Sequence, residues 1–100
     1  MQIAKVLGTV VCTYKDDSLQ GTKFLLCQLV DNEGQALPKY EVAADCVGAG
    51  VEEWVLISRG SAARQAVSQN GRPVDALVVG IIDTVSVAAG LLYNKREAHL

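Results

Sequence analysis

Nucleophilic and titratable side chains are sparse in this chain, and their spacing suits few reactions. Histidine occurs once, at His99. Gly60-Ser61-Ala62-Ala63 places a serine after a β-prone run. A nucleophile elbow needs Gly-x-Ser-x-Gly and a histidine able to reach the hydroxyl; neither is present, and Ser61 is read as a helix cap. Asp45, Asp75 and Asp83 could pair for acid–base work or hold a metal. They stand in separate segments, with no Asp-x-Asp cluster, no Glu-x-x-His and no second histidine, so capping and ion pairing are expected of them. Arg59 and Arg64 flank Ser61, and pairing with Asp45 or Asp83 across a subunit boundary is expected. Cys12, Cys27 and Cys46 are odd in number and form no Cys-x-x-Cys pair; they read as buried free thiols in a reducing compartment. Gly48-Ala49-Gly50 opens like a dinucleotide fingerprint, but the third glycine would fall at Glu53 and strand-like sequence follows where a helix is required. A tight loop remains. No catalytic residue, cofactor or metal ligand is assigned, and an enzyme is not expected.

The elements that would position these residues are β-rich. Residues 3–14 carry many β-branched side chains, with Gly8 suggesting a bulge or bend. Residues 15–22 are turn chemistry. Residues 23–31 make a second strand, followed by a hairpin-style turn in which Gly34 is free to take positive φ. A third strand is expected over 40–47, where Val42, Ala44 and Cys46 alternate with Glu41, Ala43 and Asp45, as when one face is wetter. Residues 54–58 make a fourth strand, and 62–66 suit a short helix. Pro73 and Asn70-Gly71 mark an exposed loop. Residues 76–82 form a fifth strand, apolar enough to be buried on both faces. A second β-prone stretch at 85–87 and the apolar Leu91-Leu92-Tyr93 precede a charged tail over 94–100, expected to be flexible. The pattern predicts an all-β domain spanning 1–100: a small five-stranded, OB-like barrel with one short helix.

Composition narrows the partners. Half of the 100 residues are hydrophobic, five are aromatic, twenty are charged, and the formal net charge is −2. A chain this short buries only part of its apolar surface alone, so surplus surface for a partner is expected, with Leu91, Leu92 and Tyr93 docking on a neighbouring subunit. Net negative charge and scattered aromatics give no cationic, stacking groove, so no nucleic acid is expected. The run 76–87 is short and broken by Gly80 and Asp83, which predicts no membrane span. With no leader pattern at the N-terminus, a cytoplasmic protein is expected. On composition and pattern alone, a monomeric barrel binding an oligonucleotide or small ligand stays open as an alternative.

Three blocks in order carry a resemblance. AKVLGTVVCTYK with LQGTKFLLCQL, then VAADCVGAGVEEWVLISRGSAAR, then RPVDALVVGIIDTV resemble the bacterial microcompartment vertex family, CcmL/EutN, over residues 2 to about 96. The ending DTVSVAAGLLYNKR looks most like its β-carboxysome branch. The resemblance implies a cyclic homopentamer of OB-like barrels with a narrow axial channel. It further implies a structural role at the vertices of the carboxysome shell, beside hexameric shell proteins and around encapsulated RuBisCO and carbonic anhydrase. Gly48, Ala49 and Gly50 match the family's glycine loop, and Ser61, Ala62, Ala63 and Arg64 its Gly-Ser-x-Ala-Arg block. These segments are expected to face the axis. Asp45, Arg59, Arg64, Asp83, Leu91, Leu92 and Tyr93 are the expected subunit-interface residues.

Overall fold

A computed structural model describes residues 1–13, 15–60 and 74–98. Five strands, β1 (Gln2–Val10), β2 (Phe24–Val30), β3 (Ala36–Asp45), β4 (Trp54–Arg59) and β5 (Ala76–Ile81), close into a barrel in the order β1-β2-β3-β5-β4. All pairings are antiparallel except β3 with β5, which meet in parallel at Ala44–Leu77 and Asp45–Val78. Two further strands, β6 (Thr84–Val87) and β7 (Gly90–Asn94), form a separate hairpin.

Strand limits follow partner length more than propensity. β1 stops at Val10 because its partner β2 begins opposite, at Phe24. The register shift between Val6 and Gly8 puts an irregularity at the glycine that suggested one. β3 starts at Ala36, earlier than the residue pattern suggests, because Val30 is available to pair with Ala36. The turn before it is held by Asp31, whose Oδ1 accepts from the amides of Glu33 (2.8 Å) and Gln35 (2.9 Å), while Gly34 takes φ +81°. Asp16 similarly caps the 3-10 turn Asp17–Leu19, accepting from the Ser18 amide at 2.9 Å.

Alternation fills the barrel. Ala4 and Val6, Leu25, Cys27 and Leu29, Ala43, Val55 and Ile57, and Ala76 and Val78 pack inside, joined by Ala49 from the loop. β5 is buried on both faces, as its apolar run implies: Leu77 joins Ala44 and Val74 in a second cluster outside the barrel, against Leu19, Phe24 and Val79. β3 departs from simple alternation. Ala43 and Ala44 are both buried, one in each cluster, whereas Val42 and Cys46 are exposed. The helix expected over 62–66 lies outside the described residues. A single helical turn occurs at Lys95–Ala98, and Asn94 belongs to β7, so regular structure runs into the stretch expected to be a flexible tail.

Burial sorts the cysteines. Cys27 is enclosed in the barrel, but Cys12 and Cys46 are exposed, which corrects the expectation of three buried thiols. Desolvation, with smaller contributions from Asp45 and Glu41, pushes the Cys27 thiol up to about 11. A raised pKa removes the reactive thiolate at neutral pH. A thiol reagent at pH 8 should therefore modify two cysteines promptly and the third only on unfolding, as counted by intact mass. Leu25→Ala empties a fully buried site and should cost about 2–5 kcal/mol, read from urea denaturation at fixed protein concentration.

Candidate functional site

The glycine loop between β3 and β4 is organised by one carboxylate. Asp45 ends β3 with its side chain 1% exposed. Its Oδ1 accepts from the amides of Val47 (3.1 Å), Gly48 (3.0 Å) and Ala49 (3.3 Å), and Oδ2 accepts from Ala49 (3.1 Å). Lys23 Nζ stands 3.6 Å from Oδ2 and donates to the Ala49 carbonyl at 3.5 Å. Gly48 adopts φ +77°, a conformation costly for a residue with a Cβ. Further on, the Gly50 amide donates to Glu53 Oε1 at 2.6 Å. The loop returns to the barrel through Val6, whose carbonyl accepts from Glu52 (2.8 Å) and whose amide donates to Glu53 (2.9 Å). Glu52 is held at φ +76°, with its carboxylate 2.9 Å from Lys5 Nζ.

This geometry divides the axis candidates. Gly48 and Gly50 are exposed, flanked by the exposed Val47 and Val51. Ala49 is different. It is 1% exposed and part of the barrel core, so its side chain faces its own subunit's interior instead of an axial opening. Ser61 and Ala62 lie outside the described residues, as does Arg64.

The expected interface residues also separate. Asp45 serves its own chain. Arg59 donates to Glu41 Oε2 at 2.6 Å, from the end of β4 toward β3, so this pair forms within the subunit. Tyr93 is buried and stacks on Trp54, with ring centroids 4.4 Å apart and planes 14° from parallel. That contact docks Tyr93 on its own barrel. Leu92 is half-buried, and a Cβ placed on Gly34 would lie 3.4 Å from its Cδ1. Leu91 alone of the three is exposed, at 57%. Asp83 is exposed at the hairpin base, where its carbonyl accepts from the Lys95 amide at 2.8 Å. Lys95 Nζ reaches Glu53 Oε2 at 2.7 Å, and this hydrogen bond holds its ammonium above the ordinary lysine range. The hairpin base is thus fastened to the start of β4 by a ring stack, an ion pair and the Ile82 amide just before β6, which donates to the Trp54 carbonyl at 2.8 Å.

One surface has no counterpart in the residue-by-residue reading. The outer wall of β1, β2 and β3 exposes Leu7, Tyr40 and Val42. Beside them is a groove of about 260 Å³ lined by Leu7, Leu26, Gln28, Pro38, Lys39 and Tyr40. Its signal is the register: Leu26 opposite Val42 and Gln28 opposite Tyr40 place these side chains on one face. A second recess, about 650 Å³, is lined by Asp83, Thr84, Asn94, Lys95 and Arg96. Among the described residues, no group of three or more His, Cys, Asp or Glu side chains could hold a metal ion, and no helix is long and apolar enough to cross a membrane.

A small closed barrel with apolar outer walls and a hairpin fastened to one end defines an OB-like scaffold of the kind that works through its surfaces. The family model described as ethanolamine utilisation protein EutN/carboxysome matches residues 1–83, and the chain belongs to that family. It is similar to the carboxysome shell vertex protein CcmL of Synechocystis, at 63% identity over 97% of both chains. The solved structure of Gloeobacter violaceus CcmL superposes with a TM-score of 0.92 at 64% identity, covering 96% of this chain and 99% of that one. The pentameric microcompartment shell protein GrpN of Rhodospirillum rubrum has a TM-score of 0.81 at 43% identity, covering 88% and 100%.

Asp45 generates a test of the loop. Asp45→Ala leaves loop amides without their acceptor and should cost about 1–3 kcal/mol. Hydrogen exchange at Gly48 and Ala49 should accelerate with it, and unchanged exchange there would refute the capping role.

Proposed function

We propose that this chain is a structural shell protein, a cyclic homopentamer that closes the vertices of a carboxysome shell in the cytoplasm and so supports carbon fixation. The observation that carries the reading is the near-full-length similarity to a carboxysome shell vertex protein, on the same barrel. The pentameric state of GrpN supports the copy number, and the higher identity to CcmL than to GrpN favours the carboxysome branch. The role is one of shape and not of catalysis. A sheet of hexagonal tiles cannot close by itself, and inserted pentagons give it corners. Hexameric shell proteins are the direct neighbours in this reading, with RuBisCO and carbonic anhydrase enclosed and only indirectly associated with this chain.

The residue chemistry is consistent with that role. A ring with closed rotational symmetry joins unlike patches of successive copies, and the outer wall of β1–β3 and the hairpin tip are two unlike apolar surfaces. Gly48 and Gly50, exposed on a loop pinned by Asp45, suit close approach of several backbones at an axis. Native mass spectrometry at micromolar concentration should give a particle of five times the 10.6 kDa chain mass. A single-chain particle would favour the monomeric binding module and overturn the vertex reading.

A further inference from the structure

Glu53 stands between the glycine loop and the β6–β7 hairpin, and its carboxylate contacts both. Oε1 accepts from the Gly50 amide at 2.6 Å, and Oε2 lies 2.7 Å from Lys95 Nζ. The Glu53 side chain is only 14% exposed, so both contacts form largely out of water, where charge-assisted hydrogen bonds are stronger than at an open surface. Its backbone is fixed as well. The Glu53 carbonyl accepts from the Val6 amide at 2.9 Å, and its own amide donates to the Gly50 carbonyl at 3.2 Å. The carboxylate therefore projects from a point fastened to β1, which leaves the main chain little freedom to absorb a change at either oxygen.

The two glycines of the loop divide according to this carboxylate. Gly48 takes φ +77°, and a Cβ built there would meet nothing within 4 Å, so its requirement is conformational. Gly50 is not among the residues with positive φ, and its requirement is one of space. A Cβ there would lie 3.3 Å from Glu53 Oε1, tighter than an ordinary contact, and the carboxylate would have to give way by a few tenths of an ångström. That displacement would fall on the oxygen bonded to the Gly50 amide. The hairpin depends on the same start of β4. Trp54 carries the Tyr93 ring and Glu53 holds Lys95, while the hairpin strands pair only with each other among the described residues. A two-stranded hairpin is marginal alone, so these contacts at its base decide its direction.

We propose that Glu53 is a positioning residue that holds the glycine loop and the hairpin in one fixed relation, and that Gly50 is a glycine because only glycine leaves room for its carboxylate. Loop and hairpin then respond to each other. Loss of the contact at Lys95 is felt at the Gly50 amide, and crowding at Gly50 is felt at the hairpin base, since coupling between two sites is reciprocal. The significance for assembly rests on the vertex reading above, in which both segments serve the ring; the coupling itself rests on contacts within one copy.

Hydrogen exchange on the full chain provides the test. Lys95→Met removes the ion pair without touching the loop. It should accelerate exchange of the Gly50 amide by about two- to fivefold, with the Ser18 amide in the Asp16-capped turn unchanged. Lys95→Arg, which keeps the charge, should restore the Gly50 rate. Glu53→Gln retains an acceptor for the Gly50 amide but offers Lys95 no charge, and should match Lys95→Met. An unchanged Gly50 rate in both variants, or equal acceleration at Gly50 and Ser18, overturns the coupling. The role of Gly50 is read at the Lys95 amide, which donates to the Asp83 carbonyl at 2.8 Å. Gly50→Ala should accelerate its exchange by about twofold or more in the parent and add nothing in a Glu53→Ala chain, where no carboxylate meets the new Cβ. An equal effect in both backgrounds overturns that role. Native mass spectrometry of the unsubstituted chain keeps the two readings apart: a one-copy particle overturns the vertex reading, and the same exchange rates still decide the coupling.

Discussion

Barrel closure between β3 and β5 rests on the pairs Ala44–Leu77 and Asp45–Val78, and so short a parallel pairing needs reinforcement from outside the ladder. The Cys46 amide provides it by reaching the Val78 carbonyl on β5 at 3.4 Å, while the amide of the preceding Asp45 donates to the Lys23 carbonyl at 2.8 Å, tying the end of β3 to the start of β2. The Asp45 carboxylate then takes the amides of the loop that carries the chain to β4. A buried carboxylate is costly unless its oxygens are bonded, and here amides and Lys23 answer it. The closing seam, the loop and the entry to β4 are therefore one unit.

That unit explains why the glycine loop can be both exposed and ordered. Gly48 and Gly50 face solvent, yet each amide has a carboxylate acceptor, Asp45 for one and Glu53 for the other. Ala49 between them reaches into the core and anchors the loop by burial. Glu53 joins this loop to the hairpin, since its other carboxylate oxygen meets Lys95. The glycine loop and the hairpin are thus mechanically linked through the start of β4, where Trp54 also carries Tyr93. A protein whose work is to hold an angle between neighbours benefits from such linkage, because compliance at any joint would blur the corner it makes.

Much of the barrel was legible in local pattern. Strand-length runs around Leu25-Cys27-Leu29 and Val55-Ile57, and the two-sided apolar run of β5, report burial directly because side chains alternate along a strand. Gly34 and Gly48 both take positive φ at turns where a glycine was the readable signal. Pattern was misleading where two neighbours differ in what covers them. Ala43 and Ala44 are equally apolar and both buried, but under different clusters, and Val42 is left exposed because no element among the described residues covers that part of the wall. The β6–β7 pairing was also hidden, since its strands are short and uncharged and look like a continuation of β5 and the start of a tail.

The sequence by itself determined the fold class, the scarcity of reacting groups and the family, because alternation, turn chemistry and three ordered motif blocks are properties of the linear chain. Tertiary structure decided the rest of the candidate site. It turned Ala49 inward, put Asp45 on loop amides, gave Arg59 to Glu41 and laid Tyr93 on Trp54. Each of those outcomes depends on residues far apart in the chain meeting at a set distance, and no spacing rule along the chain encodes which partner arrives. The groove and the hairpin tip became visible for the same reason: exposure is a property of what the fold leaves uncovered.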